Sequence, residues 1–159
     1  MTQTMKKLWA RGGMSLSELL VAILILSLVS LGVAVGVSSA MRVYQQSVEL
    51  SDAQTLSSTL ATAIMDELRF ARDVSGTDNP SFTSATFGEG VSLDVDDNGY
   101  VTVGGQRLVG TGAYAGYLQA EKPDITYQNG IFQVILTING KSDDQVREVE
   151  FSVVPINNP

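Results

Sequence analysis

The chain has 159 residues, 44% of them hydrophobic, and its 17 acidic and 10 basic side chains give a formal net charge of −7. It contains no cysteine and no histidine, which excludes disulfide bonds, thiol chemistry and imidazole acid–base or metal chemistry. A chain this acidic is expected to repel phosphates, so we predict no nucleic acid partner.

The N-terminal region combines a short basic segment, residues 1–13, with a long apolar one. Lys6, Lys7 and Arg11 are the only charged residues before Glu18. The run LLVAILILSLVSLGVAVGV then carries no charge. As a helix it would be about 28 Å long, close to the ~30 Å core of a bilayer. The basic side chains predict that this end stays on the cytoplasmic side of the membrane.

Helical periodicity continues beyond the apolar run. We divide the pattern into a hydrophobic transmembrane or assembly helix, residues 14–38, and an amphipathic continuation, residues 39–75. Apolar residues recur every three or four positions in the second part. They are Ala53, Leu56, Leu60, Ile64, Leu68 and Ala71. One continuous helix is predicted from about Ser15 to Ser75, with Gly76 as a C-terminal cap.

Residues 76–159 change to a period of two, which indicates β-strands. Asn98-Gly99 and Asn129-Gly130 predict hairpins. Two strands show one apolar face each. The apolar face of the first strand consists of Phe132, Val134, Leu136 and Ile138. In the second strand, Val149, Phe151 and Val153 form the apolar face, and Glu148 and Glu150 lie on the other face. The prediction is an α+β fold, with the long helix packed on an antiparallel β-meander.

Two ordinary interpretations of the N-terminus have to be weighed. A secretory signal peptide would end at a small-residue site such as Ser38-Ser39-Ala40. Its apolar region would be shorter than this one, and the helical pattern would not continue past the cut. A plain single-span anchor fits the length, but it explains neither Gly12-Gly13 nor the carboxylate of Glu18.

The sequence GGMSLSE, followed by an apolar run, resembles the class III leader of type IV pilins and pseudopilins. The resemblance implies that a prepilin peptidase cuts after Gly13, and that Met14 becomes the mature N-terminus and is methylated. It also implies a pilin-like fold and assembly with other pilin or pseudopilin subunits at the inner or cytoplasmic membrane.

In that family a glutamate occupies the fifth mature position, which here is Glu18, and we interpret Glu18 as a docking group for assembly. The alternative is an ordinary acidic residue at a helix N-terminus, where the helix dipole favours a negative charge. A buried ammonium is tolerable only beside a carboxylate, so a neighbouring subunit's N-terminus would have to meet Glu18 at one axial stagger. Gly32 and Gly36 form a GxxxG pattern that allows close helix approach. The alternative for these glycines is that they are ordinary small residues of a membrane span.

One further segment has the composition of a metal site. Asp94, Asp96 and Asn98, with Gly99 after them, match the opening of an EF-hand-type calcium loop. Gly105 stands where that loop needs a glutamate. The competing interpretation is a strand with exposed aspartates that leads into a hairpin.

Taken together, these features predict a minor pilin or pseudopilin. It would be inserted as a single-pass membrane precursor, cleaved, and added to an extracellular or periplasmic filament. The alternative is a single-span, membrane-anchored extracellular binding domain that does not polymerise. No catalytic or nucleotide-binding motif is present, so we predict no cofactor and no enzymatic activity.

Overall fold

A computed structural model describes residues 15–140 and 145–156. Its first element is α1, Leu16–Arg69, a single helix of 54 residues. The chain divides into two compact units, Met1–Tyr44 and Gln45–Pro159, and α1 contributes to both. No residue of α1 before Ala53 is buried, whereas its later part supplies buried residues to the second unit.

Ten short strands follow α1 in the second unit. They are β1 Arg72–Ser75, β2 Ser81–Ser84, β3 Gly88–Val91, β4 Leu93–Val95, β5 Val101–Val103, β6 Gln106–Arg107, β7 Gln119–Ala120, β8 Asp124–Gln128, β9 Ile131–Asn139 and β10 Gln145–Val153. A 3-10 helix, Thr111–Tyr114, lies between β6 and β7. It falls in a Gly- and Ala-rich segment of the chain.

All strand pairs are antiparallel, and they form three small sheets. The orders are β1-β2-β3 and β4-β5-β6, and in the largest sheet β10 pairs β9, whose other edge is shared by β7 and β8. The predicted α+β class is confirmed, and β8-β9-β10 is a meander. The strands before β7 do not extend it; they form the other two sheets, and the first of these contains irregular registers.

The core lies between the second part of α1 and the inner face of β9. The predicted helix stripe is buried, with Ala53, Leu56, Leu60, Ile64 and Leu68 at 0% exposure and Ala71 at 1%. The predicted face of β9 is also buried, with Phe132, Val134, Leu136 and Ile138 at 0%. Both sets belong to one hydrophobic cluster. Burying apolar surface stabilises a fold by about 25 cal/mol per Å², so this contact stabilises the second unit.

The predicted C-terminal boundary of the helix is wrong. The helix ends at Arg69, not at Ser75, and the following residues form β1, which pairs with β2. The Arg69 carbonyl accepts a hydrogen bond from the Ile156 amide at 2.8 Å. Because the strand pairing and this bond satisfy backbone groups that another helical turn would have used, the chain leaves the helix early.

The predicted hairpin turns and strand faces are confirmed. Asn129 and Gly130 both adopt positive φ, 53° and 80°, as the tight turn between β8 and β9 requires. Gly99 also has positive φ, and its amide donates to the Asp96 carbonyl at 2.9 Å. On β10 the glutamates are exposed and Val153 is buried. The turn that joins β9 to β10 lies mainly outside the described residues.

Three side-chain hydrogen bonds attach α1 to the strands and loops that follow it. The Tyr117 hydroxyl donates to Asp52 Oδ2 at 2.6 Å. The Ser84 hydroxyl donates to Glu67 Oε2 at 2.8 Å, and the Thr86 hydroxyl donates to Glu67 Oε1 at 3.0 Å. These bonds lie at two levels along the helix, and they fix its rotation relative to the strands it covers.

Candidate membrane and assembly segment

The first part of α1 is long and apolar enough to cross a membrane, by length and composition. The apolar side chains from Leu16 to Val43 are more than half exposed, and none of the most hydrophobic window is buried. A soluble core helix that met the same length and composition would be mostly buried. Side chains of this kind are stable in contact with lipid or with other apolar helices.

The hydroxyl groups within this segment are bonded inside their own helix. Ser27 Oγ donates to the Ile23 carbonyl at 2.7 Å, and Ser38 Oγ donates to the Ala34 carbonyl at 2.9 Å. A hydroxyl that is already hydrogen-bonded costs less to transfer into hydrocarbon than a bare one. Serine therefore does not prevent this stretch from lying in a membrane.

The start of α1 is a capping box formed by Ser15 and Glu18. The Ser15 amide donates to Glu18 Oε2 at 2.9 Å, and the Glu18 amide donates to Ser15 Oγ at 3.2 Å. The Ser15 and Ser17 hydroxyls lie 2.9 Å apart. Two of the amides that a helix N-terminus leaves unpaired are thereby satisfied. Sequence reasoning missed the role of Ser15, although serine followed three residues later by glutamate is its signature.

The predicted processing residues Gly13 and Met14 lie outside the described residues. Glu18 is described, and with Ser17, Val21, Ala22 and Ile25 it lines a shallow, mainly apolar groove of about 340 Å³. A carboxylate is therefore held by its own helix terminus at the rim of an apolar surface.

Gly32 and Gly36 lie one helical turn apart, on the same side of α1. No atom of another side chain or segment lies within 4 Å of where a Cβ would be at either glycine. The surface of α1 at these two glycines is therefore free for close approach by a second helix. Nothing in the described part of the chain occupies it.

The calcium candidate has a structural role in its turn. Asp96 Oδ1 accepts hydrogen bonds from the Asn98 amide at 2.9 Å and from the Tyr100 amide at 3.0 Å, and Oδ2 accepts one from Arg107 Nε at 3.1 Å. Desolvation raises the pKa of Asp96, but these hydrogen bonds outweigh it and hold the pKa below its usual value. Asp94 Oδ1 accepts a bond from the Val95 amide. The described residues contain no group of three acidic side chains arranged to hold a metal.

The two basic residues beside this turn are both paired with carboxylates. Arg107 contacts Asp96 and also lies over the Tyr100 ring, 4.7 Å from its centre. Lys122 Nζ lies 3.4 Å from Asp94 Oδ1. Their positive charge is locally balanced, so they do not form a basic surface of the kind that binds phosphates.

Comparison of the chain with protein-family models, with curated proteins and with solved structures finds no match.

Proposed function

We propose that this protein is a prepilin-type structural subunit, a minor pilin or pseudopilin. A prepilin peptidase cleaves it after Gly13 and methylates the amine of Met14, and the mature chain is assembled into a type IV pilus-like filament. The precursor is a single-pass protein of the cell membrane. The mature subunit lies in a periplasmic or extracellular filament with other pilin or pseudopilin subunits.

The observation that carries the proposal is the position of Glu18. It is the third residue of α1, five positions after Gly13, and no charged residue lies between it and Arg42. A plain membrane anchor gains nothing from a carboxylate there beyond its cap. In an assembling helix the carboxylate fixes the axial position of the neighbouring subunit. A cleaved chain would present an ammonium, which is stable in an apolar filament only beside such a carboxylate.

The second candidate is a single-span, membrane-anchored binding domain that does not polymerise. The length, apolar composition and exposure of the first part of α1 fit this function equally well. The two candidates differ in processing, since an anchor keeps the basic segment that precedes Gly13.

The test is the intact mass and N-terminal sequence of the protein, made in cells with and without a prepilin peptidase. We expect a start at Met14 that depends on the peptidase, with a mass one methyl group above that of the unmodified mature chain. A Gly13→Leu variant is the matched control and should keep its leader. A start at Met1, or just after it, in both cells would leave the anchored domain as the function. A start at Met41 would indicate secretory signal cleavage.

A further inference from the structure

The largest sheet has two long edges, and the chain closes one of them itself. Along β8 the Asn79 amide donates to the Ile125 carbonyl at 2.8 Å, and the Tyr127 amide donates to the Thr77 carbonyl at 2.8 Å. Asp78 forms a bridge with Thr126 between these bonds. The segment 77–79 thus satisfies the backbone groups that β8 would otherwise expose.

The other edge is β10, the outer strand of the same sheet. It has nine residues and pairs with β9 along one side. No backbone segment within 15–140 or 145–156 pairs with its other side. An edge of this length is a template for one more strand.

The side chains of β10 decide what kind of strand would fit. Glu148 and Glu150 are exposed on the solvent face, opposite Thr137 and Ile135 of β9. Two copies paired antiparallel about Val149 would place Glu148 opposite Glu150 of the second copy. Paired about Glu150, they would place that glutamate opposite itself. Both registers oppose like charges, which destabilises a strand pair.

An apolar surface lies at the C-terminal end of the same strand. Beyond Leu50, the exposed large hydrophobic residues among those described are Phe70, Ile131, Val154 and Ile156. The register pairs Val153 with Phe132, so Val154 and Ile131, the next residues of the two strands, lie at the same end of the sheet. The Ile156 amide donates to the carbonyl of Arg69, the residue before Phe70. We call these four exposed residues the terminal patch; Val154 and Ile156 follow the last residue of β10.

We propose that β10 is a docking edge for an extended segment of a different protein, with basic side chains at alternate positions and apolar residues over the terminal patch. The acidic solvent face selects the charge of the segment and disfavours a second copy of this chain. The backbone of β10 supplies the hydrogen bonds, and the terminal patch sets the direction of the added strand. The inference goes beyond filament assembly, since an anchored domain would present the same edge.

The probe is a blocked peptide of alternating lysine and valine, as long as β10, added to the full-length protein in a non-ionic detergent. We expect saturable binding and slower hydrogen exchange of β10 amides. Glu150→Lys should weaken binding by about tenfold, because it turns an attractive cross-strand pair into a repulsive one. Val154→Ser should also weaken it. Glu89→Lys on β3, an exposed site with the same charge change, is the control and should leave binding within about twofold.

A second peptide separates strand pairing from bulk attraction. It has the same sequence, with alternate backbone nitrogens methylated so that they cannot donate. Loss of binding by this peptide would support the added strand. Equal binding of both peptides, or equal weakening by Glu150→Lys and Glu89→Lys, would overturn the proposal in favour of non-specific charge attraction. Protection of β10 amides by self-association, without any peptide, would overturn it in favour of a second copy.

Discussion

At the scale of single residues, Glu18 has one role that the structure shows and a second that the proposed function adds. Its carboxylate caps its own helix through the Ser15 amide. Under the proposed function it also meets an ammonium from another subunit. The first role needs only an oxygen that accepts a hydrogen bond, whereas the second needs the negative charge. Substitutions that separate an oxygen from a charge therefore separate the two roles.

Glu18→Gln and Ser15→Ala are predicted to have opposite effects. Glutamine retains an oxygen for the Ser15 amide, so the helix start should persist while incorporation into filaments is lost. Ser15→Ala should weaken the helix start by about 1 kcal/mol and leave the charge available for assembly. Hydrogen exchange at the Glu18 amide and recovery of subunits in sheared filaments measure the two outcomes. Normal filament incorporation of Glu18→Gln would contradict the docking role.

Tyr117 provides a second prediction at this scale, which concerns pH. Its hydrogen bond to Asp52, together with desolvation and the negative charge of Asp52, raises the pKa of Tyr117 from 10.0 to about 12. A raised pKa means that the neutral, donating form is stabilised in the folded state. This contribution is present in full below pH ~10 and is lost as the pH rises through about 12.

Tyr117→Phe should therefore lower the free energy of unfolding by about 1 kcal/mol at neutral pH. The gap between variant and wild type should narrow above pH ~10. Thermal unfolding followed by circular dichroism at a series of pH values measures both effects. Tyr44→Phe, at an exposed position of α1, is the control and should follow the wild type throughout. A gap that stays constant to pH ~12 would contradict the assignment.

At the scale of elements, α1 performs two tasks with similar residues. Its first part exposes leucine, isoleucine and valine on all sides, and its second part buries them along one stripe. Identical substitutions in the two parts should therefore have different costs, because only one of them opens a cavity in a packed core.

Leu60→Ala is predicted to lower the free energy of unfolding by about 2–5 kcal/mol, since Leu60 is fully buried between α1 and the strands. Leu24→Ala removes the same atoms from an exposed position of the same helix and should change it by less than about 0.5 kcal/mol. Denaturant unfolding of the globular unit in detergent compares the two. Equal costs would show that the first part of α1 is also packed in a core.

The elements that could be predicted from the sequence are those with a strong local pattern. The stripe from Ala53 to Ala71, the turn at Asn129-Gly130 and the inner face of β9 depend on periodicity and turn chemistry that neighbouring residues carry. The end of α1 could not be predicted this way. It depends on the pairing of β1 with β2 and on Ile156, which is distant in sequence, so residues with adequate helical character become a strand instead.

The division of the strands into three sheets could not be predicted from the sequence either. Strands such as β3 and β6 have two to four residues and mostly exposed side chains, so they leave no alternation to detect. At the candidate site, Glu18 was singled out as a charge at the head of an apolar run, and Gly32 and Gly36 by their GxxxG spacing. Ser15 was missed because a capping box looks like ordinary polar sequence until the helix start is known.

At the scale of the whole molecule, the membrane-compatible segment and the hydrophobic core belong to different units. The first, Met1–Tyr44, has no buried residue among those described. The second, Gln45–Pro159, contains the whole hydrophobic cluster. Neither depends on the other for a packed core.

A chain that lacks residues 1–44 is therefore predicted to stay folded and to leave the membrane. Its free energy of unfolding should lie within about 0.5 kcal/mol of that of the full-length protein in detergent, because no residue of the core is removed. The full-length protein should remain in the membrane pellet after an alkaline wash, and the truncated one in the supernatant. Aggregation or unfolding of the truncated protein would contradict the independence of the second unit.

The bond from Ile156 to Arg69 has a consequence for the order of events during synthesis. The ribosome makes the helix stripe first, and β9 and β10, which cover it, much later. At ~5–20 residues per second, several seconds pass between synthesis of the helix stripe and synthesis of the strands that bury it. The cap on the last turn of the helix arrives later still, with Ile156. Under the proposed function the chain crosses the membrane while its N-terminus stays on the other side. The globular unit can then fold completely only after β10 and Ile156 have crossed.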